Sequence, residues 1–227
     1  FTPIIALIAP ILLVATQPDL GTSILIAAGG VVVAWLAGVR IKFFAYSSIL
    51  FLALLPVAIS FLKPYQKSRI LTFLNPERDP LGAGYQIIQS KIAIGSGGLF
   101  GKGFLNGSQS YLDYLPEKHT DFIFTLFSEE FGFFGSLSIL ALYALIISRI
   151  IKIGNITRST FGKLYCYSFA TAFFIYVVVN MMMVLGLLPI VGSPLPIMSY
   201  GGSSMMAIMF GLGIVMSCKV YKDAPVN

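Results

Sequence analysis

Apolar positions along this 227-residue chain fall in long runs, and the polar positions crowd into the gaps between them. A helix needs about 20 predominantly apolar residues to cross a bilayer. Six stretches approach that length: 1–16, 22–38, 43–62, 122–147, 164–188 and 203–218. They predict an all-α fold, a polytopic transmembrane bundle of about six spans within a single membrane domain over 1–227. The chain opens at Phe1 inside an apolar run, without a start methionine. It therefore reads as a piece of a longer protein whose first part is missing. Short turns join the first three spans, whereas Lys63 to Asp121 forms a long connection between the third and the fourth. Loops of that length in a compact bundle are functional or disordered. The Gly, aromatic and apolar content of this one argues against disorder. Within it, Gly84–Ile94 has helical length, with Tyr85, Ile88 and Ile92 spaced to share one side. That pattern fits a short helix packed on the bundle and equally an interfacial helix beside a lipid entrance.

Composition supports the membrane reading. Hydrophobic residues make up 57% of the chain, charged residues 11%, and the mean hydropathy is +0.88. A soluble domain of this size could not cover its surface with so few charges. The net charge of +6 is accounted for by topology and implies no nucleic acid partner. Arg40, Lys42, Arg149, Lys152, Arg158, Lys163, Lys219 and Lys222 fall on alternate connections whose only acid is Asp223. The other face mixes Lys63, Lys67, Arg69, Arg78, Lys91, Lys102 and Lys118 with Asp19, Glu77, Asp79, Asp113, Glu117, Asp121, Glu129 and Glu130. Basic residues collect on the cytoplasmic side, so the C-terminus is expected inside and the 63–121 loop outside. Cys166 and Cys218, near cytoplasmic helix ends, read as reduced thiols rather than a disulfide or a metal pair.

The chemistry concentrates in Leu115-Pro116-Glu117-Lys118-His119-Thr120-Asp121-Phe122, which holds the only histidine of the chain. Ionisable groups gathered at the edge of a membrane bundle are site candidates. If a helix starts near Asp121, Thr125, Ser128 and Glu129 share its face and Glu130 lies opposite. Glu129 then sits about 12 Å along the axis, inside the bundle. Asp121 alone fits a helix cap; beside His119 and Glu117, under a long loop, it fits catalysis. Glu129 and Glu130 read as structural partners of groups on other helices. Asp19, in Gln17-Pro18-Asp19-Leu20-Gly21-Thr22, reads as a cap or as the partner of a distant base. Gly95–Gly103 departs from a nucleotide-binding phosphate loop at Ser96 and Gly103. It reads as a flexible, tightly turning segment, ahead of a pyrophosphate cradle of backbone amides. The prolines and glycines of Gly192–Ser204 imply irregular backbone at membrane depth. The Met181-Met182-Met183 run reads as packing.

At three of these places the sequence resembles the SEDS family (shape, elongation, division and sporulation) of bacterial cell-wall polymerases. Gln17–Thr22 matches QPDLGT, and Gln89–Asp121 matches the block from QS-x-x-AIGSGG through GKG into LPE-x-HTDF. Pro194–Ser204 matches PLP-x-x-SYGGSS. Gly101-Lys102-Gly103 and Gly107-Ser108-Gln109-Ser110 stand closer to the rod-shape-determining RodA branch than to the division branch FtsW. Asn180-Met181-Met182-Met183 departs from the family's frequent Asn-Ile-Gly-Met. The resemblance implies a ten-span fold of which this chain carries the C-terminal six. It implies polymerisation of lipid II into β-1,4 glycan strands on the outer face of the bacterial cytoplasmic membrane, during cell elongation.

The same resemblance places the catalytic residue at Asp121, a general base for the acceptor hydroxyl. It also implies an undecaprenyl-linked glycan and a class B penicillin-binding protein, a transpeptidase, as partners. Arg69, Lys102 and Lys118 are candidates for the charge on the departing pyrophosphate, together with a possible divalent cation and no other cofactor. Glu117 and His119 would tune or position Asp121, and Gln109 and Ser199, inside the matched motifs, join the substrate-binding set. A lipid II flippase would need polar groups through the full membrane depth, yet 43–62 and 203–218 are apolar on the inner half. A non-catalytic scaffold for the penicillin-binding protein would not need the clustered loop acids.

Overall fold

A computed structural model describes residues 2–17, 19–61, 64–79, 82–108, 117 and 119–223. The helices in chain order are α1 (Thr2–Thr16), α2 (Leu20–Leu36), α3 (Ile41–Phe61), α4 (Pro64–Leu74), α5 (Ala83–Ser96), α6 (Ile123–Ile156), α7 (Thr160–Val184) and α8 (Gly202–Val220). A 3₁₀ turn at Pro76–Arg78 links α4 to α5, and no strand occurs among the described residues. Every apolar stretch of the sequence forms a helix. Three are long and apolar enough to cross a membrane, α6, α7 and α8, while α1, α2 and α3 carry shorter apolar stretches.

α6 and α7 pack as an antiparallel pair, and α7 is the central helix, touching α2, α5 and α8 as well. Ser159 caps α7 by accepting the Gly162 N–H at 3.2 Å, as short polar side chains do at helix starts. α1 and α2 pack together, and Gly30 lets the Leu7 side chain approach where a Cβ would lie 2.2 Å from its Cδ1. The main core joins Phe122, Phe124, Leu126 and Tyr143 to Phe173, Val177, Met183, Val184 and Leu195. Met181 and Met183 are thus core residues, as their run suggested. A smaller cluster of Ile150, Cys166, Ala170 and Val215 closes the other end, with Cys218 against it; both cysteines are free thiols.

The long connection is substantially helical. α5 covers the stretch expected to be helical and packs on α6, α4 and α7, which favours the bundle-packed reading over the interfacial one. Its buried side is Gly84, Ile87, Ser90 and Ala93. Tyr85, Ile88 and Ile92 share the other side, with Ile92 exposed. Membrane bundles bring small residues to helix contacts so that backbones approach closely, and here that rule outweighs the size of the apolar side chains. At the centre of the contact the Ser90 hydroxyl lies 2.8 Å from that of Thr125 and donates to the Val184 carbonyl at 2.7 Å.

α6 is not continuous. Gly132 has φ 65° and ψ −160°, which breaks the helix between two helical segments. Such a break strands main-chain groups that lipid cannot satisfy. The Gly97–Gly103 loop satisfies them: Lys102 N–H donates to Glu129 O at 3.0 Å and Gly103 N–H to Glu130 O at 2.9 Å. On the other side of the break, Phe133 N–H donates to Gly98 O at 2.9 Å and Phe134 N–H to Leu99 O at 3.2 Å. The approach requires glycine on both chains. A Cβ on Gly101 would lie 2.0 Å from Glu130 O, and one on Gly132 would lie 2.3 Å from Gly101 N. The glycine loop is therefore a plug for a broken helix, and its Lys102 and Gly103 amides are committed to that task rather than to a pyrophosphate.

Candidate active site

Asp121 lies in the turn that enters α6, two residues before the helix begins, and the N-cap position belongs to Phe122 without any side-chain cap bond. The capping alternative for Asp121 is thereby removed. Its carboxylate receives no hydrogen bond and no ion pair among the described residues, and burial pushes its pKa up to about 6, with Glu117 and then Asp19 adding repulsion. Desolvation disfavours the charged form, and neighbouring anions act in the same direction.

The backbone around that carboxylate is held firmly. Three consecutive carbonyls of the turn each receive a donor. Tyr200 N–H donates to His119 O at 2.9 Å, the Ser199 hydroxyl to Thr120 O at 2.5 Å, and Asn180 Nδ2 to Asp121 O at 2.9 Å. Asn180 also donates to Ser193 O at 2.7 Å, and Ser199 Oγ accepts the Leu195 N–H at 2.7 Å. The segment 185–201 thus wraps the turn. A Cβ on Gly192 would lie 3.5 Å from Asp121 Oδ2, which puts that glycine beside the carboxylate. The start of α2 arrives from another side: a Cβ on Gly21 would lie 2.0 Å from Val191 Cγ1. Asp19 caps α2 there by accepting Thr22 N–H at 3.0 Å. The three polar segments of the sequence, 17–22, 117–122 and 192–204, therefore converge at one place.

The other expected site residues separate into groups. Glu117 is exposed and ties the turn: its carboxylate accepts the Thr120 hydroxyl at 3.0 Å and its carbonyl accepts Phe122 N–H at 3.2 Å. His119 is exposed and lines an open cleft of about 560 Å³ with Ile123, Ile197, Tyr200, Gly201 and Met205. Ile197 in that wall has φ 68°, a conformation that β-branched residues rarely adopt. Ser199 is buried with its hydroxyl engaged on two backbone groups, so it positions the turn instead of facing substrate. Arg69, on α4, reaches the Ile190 carbonyl at 3.4 Å. Lys102 is drawn into an ion pair with Glu129 at 2.7 Å, and Ser108 donates to the same carboxylate oxygen at 2.9 Å. Glu129 is fully buried, and the Lys102 ammonium that meets it comes from the plug loop and not from another helix. Glu130 is half-buried with its stem beside Gly107. Lys118, Gln109 and Lys63 lie outside the described residues. Among the described residues no three acidic, histidine or cysteine side chains gather to hold a metal ion.

The predicted polar stripe is present and buried, through Thr125, Ser128 and Glu129. Ser136 donates to Ser128 at 2.9 Å across the break. Sequence reasoning missed Asn180 and Gly192 as site residues. A lone amide inside an apolar span was the available signal for Asn180, since polar groups at membrane depth serve function by default.

The FTSW_RODA_SPOVE family, described as "Cell cycle protein", matches residues 1–224. The chain belongs to this family. Members similar to it include peptidoglycan glycosyltransferase MrdB of Escherichia coli K12, 50% identical over 220 residues, 96% of this chain and 60% of that protein. Peptidoglycan glycosyltransferase RodA of Treponema pallidum is 47% identical over 161 residues, 71% of this chain and 37% of that protein. Among solved structures, a chain of a peptidoglycan synthase complex matches with a TM-score of 0.77 at 31% identity, covering 98% of this chain and 62% of that one. This family member spans about 60% of the length of the MrdB relative it matches.

Proposed function

We propose that the full-length protein polymerises lipid II, a lipid-linked disaccharide-pentapeptide, into β-1,4 glycan strands on the outer face of the bacterial cytoplasmic membrane. Asp121 is its general base. The observation that carries this reading is the Asp121 carboxylate itself: held by its backbone, free of any described cation or donor, and raised to a pKa of about 6. Glycan growth requires the acceptor hydroxyl to lose its proton as its oxygen attacks the donor's anomeric carbon and the polyprenyl pyrophosphate departs. A base works best with a pKa near the working pH and with its lone pairs unengaged. Asp121 meets both conditions. The names of the relatives support the same activity.

Neighbouring groups supply the remaining functions. Arg69 lies on the rim of the same loop and can meet the departing anion, and Lys118 is the further candidate by sequence. Lys102, paired to Glu129, holds the plug. The cleft beside His119 and Tyr200 offers an open, polar-edged wall for sugar. Next to it an apolar cavity of about 240 Å³, lined by Phe169, Phe173, Tyr176, Leu195 and Ile208, suits a hydrocarbon tail. The basic connections place the C-terminus inside, the 63–121 loop outside, and Asp121 at the outer surface where the acceptor is exposed. A class B penicillin-binding transpeptidase is the expected partner, in line with the polymerisation and crosslinking named for the similar complex.

The test is reconstitution of the full-length protein with lipid II, with and without that partner, comparing wild type with Asp121→Ala and Asp121→Asn. Wild type forms glycan strands and neither variant does, while both fold. Unchanged polymer from Asp121→Asn would remove the general-base role, and lipid translocation without polymer would point to a transporter.

A further inference from the structure

Asn180 is fully buried on α7, one turn before that helix ends, within a stretch, 177–184, that is otherwise valine and methionine. Both protons of its amide are used, on the Asp121 carbonyl and on the Ser193 carbonyl. Among the described residues its own oxygen, Oδ1, has no hydrogen-bond partner, and neither has the neighbouring buried Ser193 hydroxyl. Donation is therefore the whole of its polar bonding to those residues. A buried amide that leaves its oxygen unsatisfied is a costly core residue, so packing alone does not account for it.

The two carbonyls it joins belong to the two segments that frame the Asp121 carboxylate. One is the carbonyl of the residue itself. The other follows Gly192, which lies against Oδ2. Tyr200 and Ser199 hold the two preceding carbonyls of the turn, but both belong to the same irregular segment as Ser193. Asn180 alone among the three ties the turn to a membrane-spanning helix. We propose that Asn180 is the positioning residue for Asp121, clamping the turn and the 192–200 segment to α7 so that the carboxylate stays aimed at the reacting hydroxyl. The role depends on one neutral nitrogen donating twice, which neither Leu nor Thr can do.

This inference rests on the polymerase reading, and the experiment separates the two. Full-length protein is reconstituted with lipid II and the transpeptidase as wild type, Asn180→Leu and Asn180→Thr. Displacement of a reacting group by about 1 Å can cost on the order of 100-fold. Both variants are expected to lose about 10- to 100-fold in kcat, with KM within about twofold and the melting temperature within a few degrees. Asn180→Thr carries the test alone if Asn180→Leu does not fold.

A second readout needs no turnover: carbodiimide labelling of the protonated Asp121 carboxyl, read by mass spectrometry against pH. The wild-type midpoint is expected near pH 6 and the variants' midpoints lower, because a released turn lets water reach the carboxylate. Neither variant adds a charge, so the anions that act on Asp121, Glu117 and Asp19, are the same in all three proteins. Wild-type kcat with a wild-type labelling midpoint in either variant overturns the proposal. So does a parallel fall of kcat, affinity and melting temperature with an unmoved midpoint. A shifted midpoint in a protein whose wild type makes no polymer supports the clamp and overturns the polymerase reading.

Discussion

Two carboxylates eight residues apart show how this bundle separates holding from reacting. Glu129 is fully buried, and it is met by the Lys102 ammonium from the plug loop and by the Ser108 hydroxyl beyond it. Asp121 is only half-buried, yet no donor or cation among the described residues reaches its carboxylate. Burial without a partner is costly for a charge, and burial with one is a structural device. The deeper acid is thus the quieter one chemically. The shallower acid keeps its lone pairs free because its support comes through the backbone, from Tyr200, Ser199 and Asn180, and burial, with Glu117 and Asp19, raises its pKa to about 6.

The contrast can be broken at several points. Gly132→Ala strikes the plug hardest, since it forces a left-handed φ on a side chain whose Cβ would overlap the Gly101 nitrogen. Strain and overpacking together should cost about 4 kcal/mol, read as loss of folded yield and melting temperature. Lys102→Met removes the ammonium from a fully buried carboxylate and should cost about 3 kcal/mol, measured the same way in detergent or nanodiscs. Ser199→Ala leaves the Thr120 carbonyl and the Leu195 amide without their shared hydroxyl. It should cost about 1–2 kcal/mol and, unlike Lys102→Met, should depress kcat more than its effect on stability explains.

The smallest effect has the opposite sign. Asp121 has a folded pKa of about 6 against an ordinary 3.8, so the folded protein holds the proton more tightly than the unfolded chain. Ionisation between those values lowers stability, and the loss is complete above pH 6. Asp121→Asn is spared that loss and should melt higher than wild type at pH 8, by up to about 1 kcal/mol after allowance for solvent screening. The difference should vanish below pH 4, as thermal melts at both pH values would show. A site residue whose removal stabilises the protein is held for function.

Much of this was legible in the sequence. The apolar runs predicted the helices, and the face of Thr125, Ser128 and Glu129 came out of helical spacing alone. α5 was located correctly, with Tyr85, Ile88 and Ile92 on one side as expected; that the bundle takes the opposite side, Gly84, Ile87, Ser90 and Ala93, was not legible, because mostly small residues mediate the contact. The break at Gly132 was not legible, since one glycine in an apolar run carries no sign of a plug some thirty residues earlier. The same distance hid the pairing of Lys102 with Glu129. Asn180 was visible only as an amide out of place; what it holds depends on two carbonyls, and carbonyls leave no mark on a sequence.

The central claim is that an unpartnered, half-buried Asp121 takes the proton in glycan synthesis. Its most direct test is the pH dependence of kcat for the full-length protein polymerising lipid II, fitted to a single ionisation on the acid side. The account predicts an acid limb with a midpoint near pH 6, following the raised carboxyl. A limb near pH 4, the ordinary carboxylate range, or no acid limb at all, would contradict it.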